Sequence, residues 1–203
     1  MSNDKRYPVS VTGVLEQPLS RWLFLVKWLL LIPHLIVLVF LAVAAVVAVV
    51  IAFVAITITG KYPRGLFDFN LRALRWGWRV HFYGYGALAT DKYPPFTLDE
   101  VDYPARMTVE YPERLHRGLV WVKWILLIPH LIIVSIFQGS HDRSYGGGLV
   151  GILVLIAAII NLFTGKYPVG FHDLLLGLNR WSLRVYAYAA LMTDEYPPFR
   201  LDE

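Results

Sequence analysis

Lys27 and His34 stand seven residues apart in an otherwise apolar run, and Lys123 and His130 repeat the arrangement. Seven residues make two helical turns, so each cation shares a helix face with its histidine. Pro33 and Pro129 precede the histidines and withhold a backbone N–H, leaving a carbonyl one turn earlier without its helical partner. Three uses of the pair are open. In the first, the histidine or a water satisfies the freed backbone while the lysine stretches to lipid headgroups. In the second, lysine and histidine together hold a lipid phosphate. In the third, His34 faces His130 across a pseudo-twofold axis and the two bind haem or a metal ion; no carboxylate or cysteine accompanies them, which leaves this use the least supported.

A second constellation, Thr-Gly-Lys-Tyr-Pro, occupies Thr59–Pro63 and Thr164–Pro168, and an aspartate follows each copy at Asp68 and Asp173. Gly60 and Gly165 suit helix C-caps, and Pro63 and Pro168 forbid continuation. Asp68 and Asp173 are expected to N-cap a following helix. A phosphate grip by Lys61 or Lys166 with the glycine amides is the functional alternative. The frame is not that of a P-loop, because the spaced glycine and the Lys-Ser/Thr ending are missing. No Ser-His-Asp elbow, His-Glu-x-x-His or pair of carboxylates within the apolar runs occurs. The expectation is therefore a protein that is not an enzyme and carries no cofactor and no metal.

The elements that must hold these residues come in two copies. Val26–Ile36 recurs at Val122–Ile132, an offset of 96, and Tyr7-Pro8 recurs at Tyr103-Pro104. Nine extra residues around Gln138–Gly148 raise the offset to 105, at which Arg75, Trp76, Arg79 and Val80 match Arg180, Trp181, Arg184 and Val185. Both copies close on Thr-Asp-x-Tyr-Pro-Pro-Phe, at Thr90–Phe96 and Thr193–Phe199. The halves are 1–101 and 102–203.

With 57% hydrophobic and 17% charged residues and a mean hydropathy of +0.51, the chain reads as membrane-embedded. The run from Trp22 to Thr59 carries only Lys27 and His34 as ionisable groups, far beyond the apolar length a soluble core tolerates. Seven tryptophans and twelve tyrosines fit a headgroup belt. Without cysteine, disulfides and thiolate chemistry are excluded. Met1–Gln17 is polar and unlike a cleavable signal. The net charge of +4 points to anionic lipid rather than nucleic acid.

In the second half, 118–137 and 149–163 are apolar and flank a glycine-rich polar loop, which predicts a helical hairpin. The first half lacks the loop, so Arg21–Thr59 either folds back within an unbroken run or continues from His34 to Thr59 as one tilted helix. Of the nineteen Lys and Arg, eighteen flank the apolar runs and only Arg143 lies between two runs of a repeat. Such flanks collect on the cytoplasmic side, which favours two hairpins, four spans, cytoplasmic termini and Arg143 outside. After each hairpin, Phe69, Ala73, Trp76 and Val80, and Leu174, Leu178, Trp181 and Val185, keep helical spacing beside Arg72, Arg75 and Arg79, and Arg180 and Arg184. That pattern describes a helix lying in the interface, apolar side down and guanidinium groups toward phosphates; a spanning helix is the alternative. Segments around Val9–Val14, Met107–Val109, Phe96–Leu98 and Phe199–Leu201 lean to β and predict four short strands. The expected fold class is thus mainly α and integral to the membrane: a tandem repeat of a transmembrane helical hairpin plus interfacial amphipathic helix, with short surface β-strands.

The Ile-Pro-His, Thr-Gly-Lys-Tyr-Pro-x-Gly-x-x-Asp and Thr-Asp-x-Tyr-Pro-Pro-Phe motifs resemble those of a family of bacterial integral membrane proteins. That family is catalogued as a domain of unknown function, often in tandem. The resemblance runs from Tyr7 to Leu201 and implies a multi-pass membrane protein without supplying an activity. The residues themselves suggest a scaffold or accessory subunit of the inner (plasma) membrane. Its cytoplasmic face is expected to hold anionic lipid through Lys61, Arg75, Arg79, Lys166, Arg180 and Arg184. A second membrane protein or another copy is the remaining partner class. The alternative is a small transporter or channel with a path near His34 and His130.

Overall fold

Between Phe24 and Thr59 no glycine interrupts the chain, and the helix that begins there has nothing to stop it before Gly60. In the computed structural model, which describes residues 7–139 and 148–202, it runs unbroken as α1, Phe24–Thr59. The elements in order are β1 (Val9–Gly13), α1, α2 (Arg64–Tyr83), β2 (Ala105–Val109), α3 (Leu119–Leu126), α4 (Ile128–Gln138), α5 (Leu149–Thr164) and α6 (Val169–Ala189). Gly60 and Gly165 end α1 and α5 at φ of 71° and 69°, the left-handed region where a side chain is strained. Pro63 and Pro168 then start the next helices directly. Asp68 and Asp173 are therefore not caps but interior residues, and Asp68 pairs with Arg64 one turn earlier at 3.4 Å.

The hairpin expected in the first repeat does not form. α1 is one helix of 36 residues, about 54 Å long at 1.5 Å per residue, and Pro33 does not break it. In the second repeat the equivalent proline separates α3 from α4 with a bend of 42°. The loop carrying Arg143 lies outside the described residues. The two ends of the α3–α5 run meet opposite ends of α1. Leu115, just before α3, donates its N–H to the Gly60 carbonyl at 2.8 Å, and Asn161, near the end of α5, donates to the Ser20 carbonyl at 3.2 Å. A hairpin would bring both to one end. The second repeat therefore stretches as α1 does, antiparallel to it. By length and composition, α1 is long and apolar enough to cross a membrane, and the bent pair α3–α4 passes the same test if taken as one span.

β1 pairs antiparallel with β2, Val11 opposite Met107. Period-2 alternation puts Val9, Val11, Ala105, Met107 and Val109 on the buried face. The segments at Phe96–Leu98 and Phe199–Leu201 are not strands; their carbonyls are taken up by arginines instead. Each strand packs on the other repeat's long helix, α2 on β2 and α6 on β1. The cross-connections come in pairs. Arg75 Nε donates to the Met107 carbonyl (2.7 Å) and Arg180 Nε to that of Val11 (3.0 Å). Tyr62 reaches the Ala190 carbonyl and Tyr167 that of Ala87, while Tyr7 reaches Glu195 and Tyr103 reaches Lys92. The halves are thus interlocked about a pseudo-twofold axis that passes between Val11 and Met107, perpendicular to the sheet.

α2 and α6 are core helices rather than surface floats. Trp76, Val80, Leu178, Trp181 and Val185, expected to point into lipid, are buried within the protein. The large exposed apolar side chains lie mainly on α1, α3, α4 and α5, from Leu25 to Ile58 and from Trp121 to Phe163.

Candidate functional site

The lysine and histidine of each repeat turn inward, onto the closing motif of the same repeat. Lys27 is 2% exposed and Lys123 wholly buried, so neither reaches a headgroup. Lys27 Nζ donates to the Thr90 carbonyl at 2.7 Å, meets Asp91 at 3.1 Å and lies 4.5 Å above the Tyr83 ring. Lys123 makes the same contacts with Thr193 (2.7 Å), Asp194 (2.7 Å) and Tyr188 (5.0 Å). His34 stacks on Phe96 at 3.9 Å and accepts at Nδ1 from Trp76 Nε1–H at 3.1 Å. His130 stacks on Phe199 at 4.1 Å and accepts from Trp181 at 2.9 Å. Indole only donates, so each imidazole is neutral with its proton on Nε2. Tyrosine caps a carbonyl near each proline: Tyr93 donates to the Leu30 carbonyl and Tyr196 to that of Leu126, both at 2.9 Å.

Most of the cations expected to meet lipid are also used internally. Arg79 and Arg184 are 3% and 1% exposed. Arg79 bonds the Thr97 and Asp99 carbonyls, and Arg184 those of Arg200 and Asp202. Arg75 and Arg180 bind the opposite repeat's strand, and Arg75 also pairs with Glu100 at 3.1 Å. Lys61 and Lys166 alone of the six are exposed.

What the repeated motifs leave open is a cavity of about 750 Å³ between α1, α2 and α6. Its wall on α1 is apolar, from Leu38 to Val50. It straddles the pseudo-twofold axis, for Leu74 and Asn179, Gly77 and Ser182, and His81 and Tyr186 all line it, each pair being equivalent at the 105-residue offset. His34 and His130 do not line it.

One end of the cavity is polar. Asn179 Nδ2 donates to the Gly86 and Leu175 carbonyls at 2.9 and 2.8 Å, which fixes its Oδ1 as the acceptor facing His81 Nε2 at 2.9 Å. His81 therefore carries its proton on Nε2, and Nδ1 is left as an acceptor. Burial holds the ring below its ordinary value of 6.5, the Asn179 bond opposing. Gln138 Nε2 lies 3.4 Å from Asn179 Oδ1 and 3.3 Å from Ser182 Oγ. Toward the far end, Asn70 donates to the Tyr62 hydroxyl at 2.8 Å while its own Oδ1 is buried without a partner. None of these five polar residues belongs to a repeated motif. Their counterparts in the other repeat are Leu175 for Asn70, Tyr186 for His81, Ala42 for Gln138, Leu74 for Asn179 and Gly77 for Ser182. That mismatch between otherwise matching copies is the sequence signal that marks the cavity.

No curated protein and no solved structure matches the chain. The family model of the domain of unknown function DUF4389 matches it twice, over residues 21–97 and 117–200. Both matched segments start at the arginine before the first helix of a repeat and close one residue past its Pro-Pro-Phe motif. The chain therefore belongs to the DUF4389 family, with two copies of the domain in tandem.

Proposed function

We propose that this is a non-catalytic membrane protein that lies in one leaflet and takes an amphiphilic lipid into the cavity between α1, α2 and α6. The observation that carries the reading is the cavity itself. Its 750 Å³ falls within the usual range for small-molecule sites. Its apolar wall and hydrogen-bonding end match an apolar chain with a polar head.

The pseudo-twofold axis supports the placement. If the axis lay in the membrane plane, the exposed sheet face with Thr12, Arg106 and Thr108 would sit at mid-bilayer. There an arginine costs at least about 2.5 kcal/mol. Along the membrane normal, the same face meets water. An axis along the normal also keeps equivalent groups at equal depth. Since the start of α3 touches the end of α1, the start and end of α1 then lie level and α1 lies flat. Its exposed apolar side chains, with those of α3–α5, enter the hydrocarbon. Zero crossings satisfy the eighteen-to-one charge asymmetry as well as four would, with the basic flanks facing the anionic cytoplasmic leaflet of the plasma membrane. Lys61 and Lys166 remain as headgroup contacts worth about 1 kcal/mol each.

The test is retention of lipid by purified protein in native mass spectra. A Cβ on Gly77 meets nothing within 4 Å, so Gly77→Phe fills the cavity without a backbone clash. Wild type is expected to carry one lipid-sized adduct and the folded variant none. Equal adducts on both, or none on wild type, would reject the reading.

A further inference from the structure

This step rests on the cavity being a lipid site and asks what head it selects. We infer that the cavity takes an uncharged long-chain alcohol, in which a hydroxyl donates to the polar end while the chain lies along α1.

The inventory of free hydrogen-bonding valence leads there. Among the described residues, no Lys, Arg, Asp or Glu lines the cavity, so a phosphate, carboxylate or ammonium head would be buried among them without a counter-charge, which is strongly unfavourable. The amide and ring donors at the polar end are already used. Asn179 Nδ2 serves two carbonyls, His81 Nε2 serves the Asn179 oxygen, and Gln138 Nε2 serves that oxygen and the Ser182 hydroxyl. The Ser182 hydroxyl donates to the Leu178 carbonyl at 3.0 Å. The indoles of Trp78 and Trp124 serve the Thr12 and Ala189 carbonyls. What remains at the polar end is an acceptor, His81 Nδ1, together with the Tyr186 hydroxyl, which can give or accept. The His81 ring is held from its other edge, since a Cβ on Gly86 would strike Cδ2 and Nε2, so Nδ1 lies on the edge away from Asn179 and Gly86. A site whose free groups accept favours a head that donates. An ester or ether carries no donor and leaves that acceptor unpaired.

The orientations are mutually enforced. Tyr62 gives its proton to Ala190 and can only accept from Asn70, which turns Asn70 Oδ1 away as the free atom. Two carbonyls likewise fix Asn179. Asn179 cannot flip to offer a donor without breaking its bond to Gly86, which ties the two repeats together.

The experiment uses the full chain in nanodiscs and a set of probes of one chain length: a primary alcohol, its methyl ether, the carboxylic acid and the phosphate monoester. The alcohol is expected to bind about tenfold more tightly than the ether, the worth of one hydrogen bond, and the charged probes more weakly still. His81→Phe is expected to abolish the alcohol's advantage while leaving ether affinity unchanged. Because alcohol and ether are compared on the wild-type chain, the test stands whether or not that variant folds. Separate arms with a diacylglycerol and a prenyl alcohol distinguish a glyceride source from an isoprenoid one. An ether or acid that binds as tightly as the alcohol overturns the head-group inference and leaves the cavity reading in place. If no probe binds, the cavity reading itself fails.

Discussion

Replacing His34 or His130 with phenylalanine keeps a ring to stack on Phe96 or Phe199 but removes the acceptor on which Trp76 or Trp181 depends. The loss is that of a buried N–H left without a partner, roughly 1–3 kcal/mol. Added packing from the phenylalanine keeps it short of the top of that range, so about 2 kcal/mol per site is expected. For a chain of 203 residues that lowers the melting temperature by roughly 4–8 °C. The two sites share none of these ring partners, so the double variant should lose close to the sum. Thermal unfolding followed by tryptophan fluorescence in detergent measures both. Lipid retention by the folded variants should match wild type, because neither histidine lines the cavity. A melting temperature that stays put while lipid retention collapses would show that the histidines serve a ligand rather than the fold.

Three further outcomes are expected. Since the chain has no cysteine, Lys61→Cys and Lys166→Cys can each be labelled alone; both should react with an impermeant reagent from the same side, whereas a spanning α1 puts them on opposite sides. Gly77→Ala, at a helical site with open space, should stabilise by about 0.5–1 kcal/mol, while Gly165→Ala, at φ +69° and against Arg21, should destabilise by about 1–2 kcal/mol; opposite shifts in melting temperature check the pair. Burial pushes the Tyr62 hydroxyl from 10.0 up to about 12. A raised folded value means that its stabilisation is whole below pH 10 and is lost as pH rises through about 12, because only the unfolded chain gives up its proton in that window. Tyr62→Phe should flatten this alkaline loss in a pH series of unfolding curves.

The duplication and the helix stops could be read from the sequence because they rest on local chemistry. Gly60 and Gly165 sit before Lys-Tyr-Pro, where continuation is forbidden, and both adopt the left-handed cap. Two of the four strands followed from alternation at Val9, Val11, Met107 and Val109. The fates of Lys27 and Lys123 could not be read, since their partners Asp91 and Asp194 lie 64 and 71 residues further on. The arginine stripe misled for a related reason. Helical spacing places Arg75 and Arg79 on one side of α2, but it does not say that a strand and a tail from elsewhere cover that side. The hairpins were inferred from charge, and flanks on one side are equally compatible with no crossing. The cavity is not marked by any repeated motif, because its polar residues His81, Asn179 and Gln138 each stand in one copy only.

The exchange of strands between repeats governs how the chain can be made. When synthesis reaches residue 101, α2 still lacks β2, and the Tyr7 hydroxyl waits for a carbonyl 188 positions away. At about 5–20 residues per second, the ribosome needs several seconds more to deliver the second half. During that interval α1 presents an unsheltered oily surface and an incomplete partner face. Nascent chains should therefore depend on an insertase or a holding chaperone until the last turn of α6 and its tail emerge. A chain arrested at the midpoint should be cleared by membrane proteases instead of persisting as a stable half.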